Sequence, residues 1–181
     1  IDKGEGGPYY YRARPEMVEV LVQAGVDVVA TANNHSGDYG SEALIQQLDI
    51  LDVVGIGHVG SGKNINEAFE PIFRTVGNVK VAIFSIDSTQ VRFAATKNNP
   101  GIAYLPIRDP LLWSKTLEPL ICKAKEKADV VLVVLHWGSN LAKEPTLEER
   151  LIAKNIINSG ADAILGCSAH ILQGIEIYKN K

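Results

Sequence analysis

Three times in this chain a helix end gives way to an aspartate, a short apolar run and a polar turn carrying a histidine. The segments are AGVDVVATANNH, EKADVVLVVLH and SGADAILGCSAH. Their aspartates are Asp27, Asp129 and Asp162, and their histidines are His35, His136 and His170. A short apolar run after a helix reads as a buried parallel strand. In open parallel sheets, ligands bind outside the carboxyl ends of the strands. The pattern therefore predicts that three of the four histidines share one edge of one sheet. That is how a metal or phosphate site is built on an α/β scaffold.

A length of 181 residues predicts a single domain, spanning 1–181, with enough chain to bury a real core. The net charge of −3 offers no basic excess to neutralise phosphates, which argues against a general nucleic-acid binder. Lys123, Lys125 and Lys127 read as a solvated helix face. No apolar run approaches the roughly 20 residues needed to cross a bilayer, and no signal-peptide pattern is present. Cys122 is expected in the core. Two distant cysteines do not establish a disulfide, and the compartment stays open. The start at Ile1 and the close on IEIYKNK read as a piece of a longer protein.

Residues 1–13 read as loop. Pro15 and Gly25 bracket a helix with Met17, Val20, Leu21 and Ala24 at helical spacing. A strand is expected at 27–32, then the turn NNHSGDYG, then a helix from Ser41, as its cap, through Leu51. Residues 54–64 read as a glycine-rich loop. EPIFRTV and VKVAIFSID flank Gly77-Asn78 as strand, turn and strand. Residues 88–110 read as a long loop or lid, followed by a helix over 110–127. Thr146 and Glu149 have capping-box spacing. The last strands are DAILG and ILQGIEIY. This alternation predicts an α/β fold with antiparallel edges.

Four segments carry chemistry. NNHSGDYG gathers Asn33, Asn34, His35 and Asp38, which can serve a metal site or simply bond their own turn. HWG puts His136 at a strand end, either as a ligand or as a satisfied core residue, with Trp137 as a wall beside it. In GCSAHILQG, Cys167 and His170 can address one ion, or Cys167 can be a small buried hydrophobe. Finally, GHVGSGKN matches the phosphate-loop spacing through Gly57, Gly62 and Lys63, with Asp87 as an acidic strand end. Against that reading, Asn64 replaces the magnesium-holding hydroxyl, Pro71 shortens the following helix, and no clear strand precedes. A glycine loop with Asn64 capping a short helix, and His58 as a loop residue, is the plainer reading.

The order RPEMVEVLVQAGVDVVATANNHSGDYG, HVGSGKNINEA, ADVVLVVLHWG and SGADAILGCSAHILQGIEIYKNK resembles the bacterial capsule-synthesis (CapA, poly-γ-glutamate biosynthesis) family. That family looks like a branch of the calcineurin-like metallophosphoesterases. The resemblance covers residues 9–181. It implies a layered α/β sandwich, here lacking its first strand and the acidic ligands on it. It implies Asn34 and His136 as metal ligands, His35 as the acid that protonates a leaving group, and Asp38 as a group orienting it. His170 carries over as a ligand, and Cys167 stands where the family has a His, favouring zinc over manganese. The implied function is capsule or poly-γ-glutamate biosynthesis or export by a metal-dependent hydrolase. The alternative is a non-catalytic polymer-binding or assembly component with a degenerate metal site. The implied partners are an anionic polymer or phosphoester substrate and other capsule-synthesis proteins, with a parent protein at the cell surface or membrane.

Overall fold

The computed structural model describes residues 9–181. The loop expected over residues 1–13 therefore lies partly outside the described residues; 9–14 carry no helix or strand. A short 3₁₀ turn at Pro15–Met17 leads into α1 (Val18–Gln23), with the proline in the first helical turn as its fixed φ favours. Then come β1 (Val28–Ala30) and α2 (Gly40–Val53). The cap of α2 departs from the sequence reading: Tyr39 precedes the helix without a side-chain bond, and Ser41 lies inside it.

Residues 54–64 are not a loop. They hold β2 (Gly57–Val59) and β3 (Ser61–Gly62), and His58 is a strand residue paired with Asp52 at 3.2 Å. β2 runs parallel to β1, and a neighbour's backbone bonds outweighed the local glycine signal. The short helix α3 (Ile65–Phe69) is capped as expected, by Asn64 accepting from the N–H groups of Asn66 and Glu67. A five-residue helix closed by its own asparagine is the plain reading of GHVGSGKN, not a nucleotide loop.

The main sheet has the order β4-β5-β7-β8. β4 (Ile72–Val76) and β5 (Val79–Asp87) form the expected hairpin, and β5, β7 (Val130–His136) and β8 (Ala163–Cys167) are parallel. Two of the three aspartates, Asp129 and Asp162, bond backbone at the start of a strand through their side chains. Asp129 accepts from the Lys80 N–H, and Asp162 accepts from the Val131 N–H and from Lys125 and Lys181. Lys125 is therefore tied down and is not part of a purely solvated face.

The helix expected over 110–127 is two helices, α4 (Pro110–Thr116) and α5 (Glu118–Lys125), because Pro119 cannot continue the hydrogen-bond ladder of the first. With α6 (Leu147–Asn158) they cover one face of the sheet. α6 begins with the predicted capping box, Thr146 and Glu149 bonding each other's backbone. Ala82, Phe84 and Ile86 of β5 and Val131, Val133 and Leu135 of β7 point into this core, alternating with less buried neighbours. Cys122 is exposed on α5, on the side away from Ile121 and Ala124.

Residues 88–110 are not a lid. They contain a 3₁₀ turn (Val91–Phe93) and β6 (Gly101–Ile102), which pairs antiparallel with β3. Ile102 and Ala103 are fully buried. The Ala103 N–H donates to the Gly60 carbonyl, the Asp87 N–H to the Ala103 carbonyl and the Leu105 N–H to the Asp87 carbonyl, stitching the small sheets to β5. Gly60 permits that junction: its φ is 100°, and a Cβ there would stand 2.7 Å from Ser85 and 2.8 Å from Ala32. Beyond β8 the segment ILQGIEIY forms no strand, and Leu172, Ile175 and Ile177 are exposed. Its apolar alternation finds no neighbouring strand among the described residues.

Candidate functional site

The β5, β7 and β8 strands end in one row. Asp87 is in register with His136, and His136 with Cys167. Because side chains alternate along a strand, these three point to the face opposite the helical core. The β1 segment meets that same face, where the Ala32 N–H donates to Ser85 Oγ at 3.3 Å. The turn after β1 brings His35. The three histidines thus do not share one sheet, as the sequence pattern predicted. His35 follows a strand of a separate two-stranded sheet, and packing, not strand pairing, brings it to the others.

Within the turn, Asp38 is buried and its Oδ2 accepts from His35 Nδ1 at 2.8 Å and from the Tyr11 N–H at 2.9 Å. The Tyr11 ring stands edge-on to the imidazole, with centroids 4.4 Å apart. The His35 N–H donates to Asn33 Oδ1 at 2.8 Å, and Asn34 Nδ2 lies 3.3 Å from His35 Nε2. Asp38 therefore sets the tautomer: Nδ1 carries a proton, and Nε2 faces the Asn34 amide.

His136 Nδ1 lies 3.6 Å from Cys167 Sγ, while its Nε2 is buried with no partner among the described residues. Burial lowers the His136 pKa; Asp87 opposes this, and His35 and His170 reinforce it. Burial, and then Asp87, push the Cys167 thiol up, so it is protonated near neutral pH. His170 is exposed, three residues past β8, with a left-handed φ of 54°; Ser168 before it has φ 90°. This segment is held by Leu141 donating to Ala169 and by Gln173 donating to Ala142.

Asp87 is the residue that the histidine pattern did not select. It is fully buried, and its carboxylate accepts from the Thr89 N–H, the Thr89 hydroxyl and the Gln90 N–H at 2.7–2.9 Å. The signal was present: VKVAIFSID is another apolar strand ending in a polar residue. His58, the fourth histidine, lies elsewhere with Asp52.

The neutral state of His136 has a consequence for stability. An unfolded histidine binds its proton near pH 6.5. Below that value the unfolded chain takes up more protons than the folded one, so stability falls as pH drops from about 6.5 toward the lower folded value. The melting temperature is expected to decline between about pH 7 and pH 5. The decline should be smaller in His136→Gln, measured by thermal melts across that range; an equal decline in both proteins would place the titrating group elsewhere.

In chemistry, the donors fit a divalent cation: an unpartnered buried imidazole nitrogen, a thiol beside that ring, and a carboxamide and a second imidazole nearby. In number they do not close around one. Among the described residues, no three His, Cys, Asp or Glu side chains stand so as to hold one ion. A thiol that is protonated must also release its proton before it binds.

An α/β domain with a polar cluster at its parallel strand ends is a binding or catalytic scaffold of the open-sheet class. The chain belongs to the family described as Bacterial capsule synthesis protein PGA_cap, whose model matches residues 2–181. It is 33% identical over 171 residues to the PGA biosynthesis protein CapA of Bacillus subtilis, covering 93% of this chain and 43% of that protein. It is 30% identical over 168 residues to the capsule biosynthesis protein CapA of Bacillus anthracis, covering 92% and 40%. A probable polyglutamine synthesis accessory protein of Mycobacterium tuberculosis is 32% identical over 181 residues, covering 96% and 47%. The chain thus spans less than half the length of these relatives. No helix among the described residues is long and apolar enough to cross a membrane.

Proposed function

We propose that this chain serves the making or export of an anionic capsule polymer as a hydrolase-type domain, layered like the calcineurin-like metallophosphoesterases, acting on a phosphoester or related bond. The observation that carries the reading is His35. Its imidazole is held by buried Asp38 through Nδ1, leaves Nε2 beside the Asn34 amide, and acts electrostatically on His136, which is in register with Asp87 and Cys167. Imidazole is the side chain most often used to deliver a proton to a leaving oxygen. Asp38 stabilises the protonated ring before transfer and keeps it aimed afterwards. The Asn34 amide supports either state, since its oxygen accepts from a protonated Nε2 and its nitrogen donates to a neutral one.

Asn34, His136, Cys167 and His170 are the proposed ligands of a zinc or manganese ion. Such an ion would polarise a substrate oxygen and offset developing negative charge. The incomplete donor set favours a second reading, in which the scaffold binds polymer or assembles with other capsule-synthesis proteins without turnover.

Elemental mass spectrometry after zinc or manganese loading and desalting separates the two, together with hydrolysis of a chromogenic phosphodiester. The hydrolase reading expects about one or two ions per chain, reduced in His136→Ala, with turnover in the loaded protein. Absence of both ion and turnover would overturn it in favour of the assembly role.

A further inference from the structure

The row of strand ends has a fourth member. The Asp87 backbone bonds Ala103 and Leu105, on either side of Tyr104, so Tyr104 stands in parallel register with Asp87. His136 holds the same relation to Asp87 through β7. Residues in register on parallel strands point to one face. Alternation along the segment agrees. Ala103 and Leu105 are buried in the helical core, and Tyr104 between them packs on the opposite side. Its ring lies against the apolar cluster of Ala32, Leu44, Leu48 and Ile102. Ala32 directly precedes the NNHSGDYG turn, and Phe93, packed on the same cluster, lies against Gly37 within that turn. Tyr104 thus joins the strand-end row to the elements that hold the His35 turn.

A tyrosine held by its ring keeps a hydroxyl at the polar end. Tyr104 is half-buried, and its hydroxyl takes no hydrogen-bond partner among the described residues. The Asp87 oxygens accept instead from Thr89 and Gln90. Burial, and then the Asp87 carboxylate, push the phenol's pKa up, so it keeps its proton at physiological pH. The row therefore contains an uncharged donor that is fixed by its ring and free at its tip. Such a donor makes one of the stronger hydrogen bonds when its acceptor is charged. A ring already packed loses little freedom on binding.

We infer that Tyr104 is a substrate-contacting residue of this site, its hydroxyl donating to a non-bridging oxygen of the phosphoester whose leaving group His35 protonates. The inference rests on the proposed hydrolase role. It names the group that would orient the phosphoryl centre from the side of β1 and α2.

Tyr104→Phe keeps the ring and removes only the hydroxyl. In protein loaded with zinc or manganese, kcat/KM for a chromogenic phosphodiester should fall about tenfold or more, while the melting temperature stays within about 2 °C of wild type. A kcat/KM within about twofold of wild type would overturn the inference and leave the hydrolase reading standing. A second readout needs no turnover. With tyrosines carbon-13 labelled at Cζ, the resonance missing from Tyr104→Phe identifies Tyr104, and inorganic phosphate should shift it in the wild-type protein. That shift in a protein without turnover would keep Tyr104 as an oxyanion donor and strike the hydrolase reading. A Tyr104 resonance unmoved by phosphate would overturn the inference.

Discussion

His35→Ala is expected to lower phosphodiester turnover by about 10²–10⁴-fold while leaving the bound ion in place. The imidazole is partly exposed, but it donates to the buried Asp38 carboxylate, so the variant should also lose about 1–3 kcal/mol of stability. Turnover is compared at a temperature where both proteins are folded. Asp38→Asn separates orientation from acidity. The Tyr11 N–H and His35 Nδ1 both meet Oδ2, so an asparagine oxygen in that place keeps both bonds and the ring's aim while removing the negative charge that supports the imidazolium. Turnover should fall by about tenfold or more. A His35→Ala protein with undiminished turnover would remove His35 from the mechanism.

The second large effect is on stability. Trp113→Ala is expected to cost about 3–5 kcal/mol and to lower the melting temperature on the order of 10 °C. Trp113 is 2% exposed, at the centre of the core beneath the sheet. Its indole N–H donates to the Pro106 carbonyl at 3.0 Å, so alanine leaves both a cavity and an unpaired carbonyl. The ring also supports Trp137, with centroids 6.2 Å apart, directly after His136. The Trp137 N–H in turn donates to Cys167. The variant should loosen the HWG turn before the rest of the sheet, and hydrogen exchange at Trp137 and Gly138 reads that directly. A loss below about 1 kcal/mol would mean that neighbouring side chains fill the cavity.

Much of this architecture is local and was readable. VVLVVLH and AILGC are apolar runs long enough to name as strands, and Gly77-Asn78 between two such runs marks a hairpin. Thr146 with Glu149, and Asn64 before Ile65, declare their helix starts through their own side chains. The NNHSGDYG turn announced both of its members, His35 and Asp38. What was not readable depended on partners distant in sequence. Gly57–Gly62 looks like loop until β1 and β6 supply backbone partners. The 101–103 stretch has no periodicity because its burial comes from β3 and β5. ILQGIEIY alternates like a strand, yet alternation alone supplies no neighbour to pair with. The shared sheet edge expected for the histidines was a related error: strand ends were equated with sheet membership, whereas β1 approaches β5 through Ala32 and Ser85 without joining its sheet. Asp87 was legible only as the acidic strand end of a phosphate-loop motif, because β5 is entered from a hairpin and lacks the helix–aspartate–strand pattern of the histidine segments.

The central claim is that the strand-end cluster, with His35 as its oriented group, is where this domain meets its polymer. Nitrogen-15 NMR of the four histidines, titrated with a poly-γ-glutamate oligomer, tests it most directly. The account predicts that His35 and His136 shift together on addition of polymer, with His35 protonated at Nδ1 in the free protein, and that His58, paired with Asp52 away from the site, stays still. Unmoved His35 and His136 resonances at saturating polymer would contradict it and place the working surface elsewhere on the molecule.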